Sequence, residues 1–117
     1  MSTGNDLVTT AELLMEYRGY DESSRHNGEG AIDIIASERT SDKEALVRVV
    51  TGTGPSVVGV AKARKMWDAI QAREVEAGII VSDRFTAAAK RVLKEHAIEF
   101  FTTQQPVITK IDADGLY

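Results

Sequence analysis

Apolar residues recur along this chain in two rhythms, and the switches between them divide it into elements. Leu13, Leu14 and Tyr17 return at helical intervals, Thr9 and Glu12 have capping-box spacing, and Gly19 suits a helix C-terminus. Residues 10–18 are therefore read as a first amphipathic helix. Tyr20 to Ser24 reads as a short edge strand, and "RHNGEG" as a polar, turn-rich connection. Two β-rich runs follow, "AIDIIAS" and "EALVRVV", separated by the polar tract "ERTSDK", which predicts a hairpin turning about Thr40 and Ser41.

"TGTGPS" breaks the alternation. Ser56 is placed to cap a long helix reaching about Glu74, with Val60, Ala63, Trp67 and Ile70 on one stripe. "AGIIVSD" is a short, continuous apolar run of the kind a buried strand needs, and the preceding helix makes it parallel to a neighbour. Ser82 or Asp83 then opens a third helix to about His96, with Phe85, Ala89, Val92 and Leu93 inward, before a last core strand at "IEFFTT". Within the tail, 104–117, "VITKI" is a candidate extra strand. The order α-β-β-β-α-β-α-β describes an antiparallel unit followed by crossovers, hence an α/β fold with a mixed β-sheet flanked by helices.

The hairpin has one consequence for chemistry. Arg48 stands in the middle of an apolar strand, where an unpaired guanidinium would cost several kcal/mol. A turn about Thr40 and Ser41 sets Asp33 opposite Arg48 on one side of the sheet, while Ile32, Ile34, Val47 and Val49 point to the other, wholly apolar side. A structural ion pair is the plain reading of that arrangement.

Composition narrows the class. With 117 residues the chain is read as a single domain, its core at about 7–103, and 43% apolar with 27% charged residues is the balance of a globular protein. No apolar run approaches the ~20 residues of a spanning helix, and "MSTGND" lacks a basic region leading into an apolar one. A cytoplasmic protein without membrane association is expected. The absence of cysteine excludes disulfides, thiolate metal sites and cysteine nucleophiles. A net charge of -4 argues against a uniformly basic surface but leaves room for a local basic face.

Other motifs resolve into plainer readings. "TGTGPSVVG" follows a strand and opens a helix, but Val60 and Ala61 stand where a phosphate loop needs Lys and Ser or Thr, so no nucleotide cofactor is expected. His26 and His96 have no second ligand at metal spacing. Trp67, Phe100 and Phe101 fall on faces read as buried and are taken as core rather than base-stacking platforms.

In sequence order, "GEGAIDIIAS", "LVRVV" and "AGIIVSDRFTAAAKRVLKEHAIEFF" resemble the Mrr-type branch of the restriction-endonuclease-like PD-(D/E)xK nuclease superfamily, over about Leu7 to Thr103. The resemblance implies a three-layer restriction-endonuclease-like fold and a Mg²⁺-dependent DNA endonuclease core. That core needs an Asp, and a Glu or Gln two residues before a Lys, on neighbouring strands. Carried over, Asp33 matches the Asp, Arg48 stands at the Glu or Gln and Val50 at the Lys. A guanidinium repels a divalent cation and offers no oxygen ligand, and valine cannot orient water. The resemblance therefore implies a vestigial catalytic set in Asp33, Arg48 and Val50. No cofactor is expected, and Mg²⁺, on Asp33, belongs only to the alternative of an active endonuclease with a rearranged site. Candidate replacements are a helical carboxylate, Glu12 or Glu16, and a migrated lysine, Lys62 or Lys65; a capping role for Glu12 and solvated helix surface for the lysines are the plainer assignments. Thr51, Thr53, Ser56, Lys62 and Lys65 are candidate phosphate contacts. The partners implied are DNA, or another protein or a second copy in a homodimer.

Overall fold

The computed structural model describes residues 4–52 and 55–103. Helix α1 (Gly4–Arg18) is followed by strands β1 (Tyr20–Gly28), β2 (Ala31–Glu38) and β3 (Glu44–Val50), which form an antiparallel meander. A two-residue strand β4 (Val57–Val58) leads into α2 (Val60–Arg73), and β5 (Ala77–Val81) pairs parallel to β3. A second two-residue strand, β6 (Arg84–Phe85), precedes α3 (Ala87–Glu95), and β7 (Glu99–Phe101) pairs parallel to β5. The five-stranded sheet runs β1-β2-β3-β5-β7. Because both crossovers step in the same direction across the sheet with the usual right-handed sense, α2 and α3 share one face. Helix α1 covers the other, and the result is the three-layer, mixed-sheet architecture expected from the sequence.

Side-chain alternation divides the core accordingly. Ile34, Ala36, Val47, Val49, Ile79, Val81 and Phe101 pack against Leu7, Ala11, Leu14 and Met15 of α1. Leu46, Val50 and Ile80 project the opposite way, onto Ala63, Met66 and Ile70 of α2 and Ala89 and Leu93 of α3. Gly78 of β5 is a packing requirement: a Cβ there would fall within 3.2 Å of Met66 Cε and overlap the Ile70 side chain, so glycine lets α2 settle close to the sheet. Arg18, in the last turn of α1, donates to both carboxylate oxygens of Glu99 at 2.8 and 3.0 Å and lies over the Phe101 ring, fastening α1 to β7.

Four boundaries differ from the sequence expectation. Helix α1 starts at Gly4, which places Thr9 and Glu12 inside it, so their capping-box spacing has no capping function. Strand β1 continues through Arg25 to Gly28, leaving only Glu29 and Gly30 as the turn, with Gly30 at φ +80°. Every β1 residue after Tyr20 is exposed, so the strand carries no apolar alternation and is held by its ladder with β2. Its charged side chains and a bulge between Glu22 and Ser24 suit an open sheet edge. Ser56 does not cap α2; the cap position is Gly59, without a side-chain bond. Thr86, rather than Ser82 or Asp83, caps α3, accepting from the Ala89 amide at 3.1 Å.

Ser56 has a different task. Its hydroxyl lies 2.7 Å from Ser82 Oγ and accepts from the Asp83 amide at 3.1 Å, while its own amide donates to Asp83 Oδ2 at 2.8 Å. Together with the parallel β4–β6 pairing, this network ties the connection after β3 to the one after β5. The start of α2 is thereby fixed over the carboxyl end of β3. The candidate strand at "VITKI" lies outside the described residues. Among the described residues no helix is long and apolar enough to cross a membrane.

Candidate functional site

Strands β2 and β3 pair in the register read from the hairpin, with Asp33 facing Arg48. The two side chains lie on the α2 face, between Leu46 and Val50 along β3 and opposite Ile80 of β5. Arg48 donates from Nε to Asp33 Oδ1 at 2.7 Å and from Nη2 to Oδ2 at 2.9 Å, a bidentate pair of the strongest geometry available to these groups. The Asp33 side chain is 10% exposed and that of Arg48 19%. A second guanidinium arrives from the last turn of α2, with Arg73 Nη2 3.4 Å from Asp33 Oδ2.

Burial pushes the Asp33 carboxyl upward. The Arg48 hydrogen bonds, with the charges of Arg48, Arg73 and His26, outweigh it and hold the group below the usual carboxylate range. A carboxyl whose folded value is depressed favours folding fully above its unfolded value, about 3.9, and that contribution is lost as pH falls through the folded value. Acid unfolding should therefore include a proton taken up by Asp33. Unfolding free energies from urea titrations run from pH 6 downward are expected to fall less steeply below pH 4 in Asp33→Asn, by up to about 1.4 kcal/mol per pH unit. Equal slopes in both proteins would show that Asp33 is not the group protonated.

The ion pair forms part of the floor of a cavity of about 340 Å³ at the carboxyl end of β3. Its walls come from the β1–β2 turn, including His26, Gly28, Glu29 and Gly30, and from the first turns of α2, where Lys62 and Lys65 line it. Of the candidates read from sequence, Asp33, Arg48, Val50, Lys62 and Lys65 thus converge on one cavity. Val50 is buried, at 3% exposure, and contributes only an apolar wall.

The other candidates go elsewhere. Glu12 and Glu16 are on α1, which packs on the opposite face of the sheet from Asp33, and Glu12 receives Arg25 Nη2 at 3.1 Å. Ser56 is buried in the network with Ser82 and Asp83, so its hydroxyl is already engaged. The Thr51 amide donates to the Gly30 carbonyl at 3.0 Å, closing the end of β3 onto the β1–β2 turn; Thr53 lies outside the described residues. One face of Trp67 is covered by His96, with ring centroids 4.2 Å apart and planes 9° from parallel, a contact joining α2 to the end of α3. Two participants escaped the sequence reading. His26 pairs across the ladder with Asp33, which a longer β1 would have revealed, whereas Arg73 reaches Asp33 from forty residues away with no local signal.

These residues do not suit a divalent metal. Mg²⁺ requires several oxygen donors in octahedral array, yet both Asp33 oxygens accept from guanidinium groups and neither Arg48 nor Val50 offers a ligand atom. Among the described residues no cluster of three or more His, Asp or Glu side chains could hold a metal ion.

The layering and strand order are those of a restriction-endonuclease-like fold. The family model for the Mrr catalytic domain, described as a restriction endonuclease, matches residues 2–106, and the chain belongs to that family. Solved structures agree. The apo form of EndoMS is similar with a TM-score of 0.61 and 18% identity over 82% of this chain and 45% of that one. EndoMS in complex with double-stranded DNA gives 0.59 and 18% over 87% and 45%. A repair endonuclease from Pyrococcus abyssi gives 0.57 and 17% over 81% and 45%. The chain thus spans less than half the length of these proteins. No curated protein matches it.

Proposed function

We propose that this chain is a cytoplasmic, DNA-binding or interaction module of the restriction-endonuclease family whose Asp33 site is non-catalytic or strongly weakened and works without a metal cofactor. The observation that carries this reading is the bidentate bond from Arg48 to Asp33: a fixed cation occupies the one acid of the family's metal-binding set that this chain retains. Val50, in the lysine position, can neither orient nor activate a water. Support for DNA as the partner comes from family membership and from the similar EndoMS fold, which is known in complex with double-stranded DNA. The alternative, an active Mg²⁺-dependent endonuclease, draws on the presence of Lys62 and Lys65 in the same cavity as Asp33, where a migrated lysine would be needed.

Plasmid nicking separates the two. With Mg²⁺ or Mn²⁺ the wild-type protein is expected to leave supercoiled plasmid intact, and metal-dependent nicking abolished in Asp33→Ala would establish the alternative. A gel shift at low and moderate salt tests binding independently. Retarded duplex at low salt supports the DNA-binding form; none at any salt leaves the interaction form, with a protein partner or a second copy of this chain.

A further inference from the structure

The cavity above the ion pair gathers positive charge in a chain whose net charge is -4. Lys62 and Lys65 are three residues apart on α2, a spacing at which like charges repel, and both line the cavity with Arg48 below them. Lys62 Nζ donates to the Val57 carbonyl at 3.2 Å, which among the described residues leaves two of its three N–H groups unspent. Lys65 forms no ion pair among the described residues. Arg48 gives Nε and one Nη2 hydrogen to Asp33 and retains further donors on a five-donor guanidinium. The carboxylate that would otherwise repel an anion, Asp33, is offset by Arg48 beside it and by Arg73 at its second oxygen. Glu29 is the other acid in the lining. Gly28 and Gly30, without side chains, allow a ligand close to the turn on that wall.

We infer that this cavity seats a phosphodiester of the duplex DNA backbone without a metal ion, with Lys62, Lys65 and Arg48 supplying the positive charge. The inference rests on the DNA-binding form of the proposed function and specifies its site. Arg48 then has two roles: it neutralises Asp33, and it presents a permanent cation where a nuclease would hold a removable one. Phosphate contacts of this kind position a duplex without reading its sequence.

Fluorescence anisotropy of a labelled short duplex at low salt tests it, with wild type, Lys62→Ala/Lys65→Ala, and Lys90→Ala/Arg91→Ala on exposed α3 as a charge-matched control. Wild-type affinity is expected to be as tight in EDTA as in Mg²⁺ or tighter. The double-lysine variant should bind about tenfold more weakly, with a log–log salt slope smaller by about 1 to 2, while the α3 variant changes little. Binding that needs Mg²⁺, or that the α3 variant weakens and the double-lysine variant does not, overturns the inference while leaving DNA binding intact. Absence of duplex binding overturns both. Inorganic phosphate, followed through amide NMR shifts at Lys62 and Lys65, separates the sources of the anion. If it binds while the double-lysine variant holds duplex as tightly as wild type, the cavity is a free-phosphate site and the inference fails.

Discussion

Replacing Asp33 with alanine is expected to destabilise the protein by about 3 kcal/mol, because Arg48 would be left four-fifths buried without its partner. The neighbours Leu46, Val50 and Ile80 are apolar and cannot substitute. Removing both charges is a different matter. Asp33→Ala/Arg48→Met exchanges a desolvated pair for packing, and stability should return to within about 1 kcal/mol of wild type. A double-mutant cycle by urea denaturation should therefore give a coupling of about 2 kcal/mol or more. A coupling below about 0.5 kcal/mol would place the pair among solvent-screened surface bridges and remove the structural reason for Arg48.

The second large effect is a gain of metal binding. In Arg48→Glu/Val50→Lys, the acid and lysine that the proposed function assigns to these two positions are introduced beside Asp33, and two carboxylates then face each other on adjacent strands. Their repulsion is relieved by a divalent cation, so Mn²⁺ should raise the Tm of the variant and leave that of the wild type unchanged. At a metal concentration of a hundred times Kd the stabilisation is about 2.7 kcal/mol. Metal-dependent plasmid nicking should accompany it. Arg73 would still compete for Asp33, so the response is expected to be larger with Arg73→Gln added. If neither variant is stabilised by Mn²⁺, positions 48 and 50 are not the ones that close the site.

What could be read from the sequence follows the range of the interactions. The Asp33–Arg48 pair was legible because a hairpin with a well-marked turn fixes its own register, and only fifteen residues separate the partners. The buried strand β5 and the two crossovers were legible because strand and helix on a closed face leave continuous or periodic apolar runs. Strand β1 beyond Ser24 was not, since an exposed edge strand has polar side chains on both sides and takes its structure from β2. Strands β4 and β6 have two residues each, too few for any period. Thr9 and Glu12 show that capping spacing can occur by chance inside a helix that starts a turn or more earlier. Ser56 looked like a helix cap because its type and place before α2 were right. Its partners, Ser82 and Asp83, belong to a connection that only the parallel pairing of β3 with β5 brings close.

The second guanidinium also bears on how such a site could change by mutation. A single substitution at position 48 would free one Asp33 oxygen, yet Arg73 would remain at the other and Val50 would still lack an amine. A change at position 73 alone would leave the tighter bidentate bond in place. Either of these two first steps would weaken an ionic contact of the buried Asp33 carboxylate before a metal could bind, so both pass through a less stable protein. Under the proposed function, Arg73 makes a closed site epistatically entrenched, held by a residue outside positions 33, 48 and 50 that supplies no metal ligand.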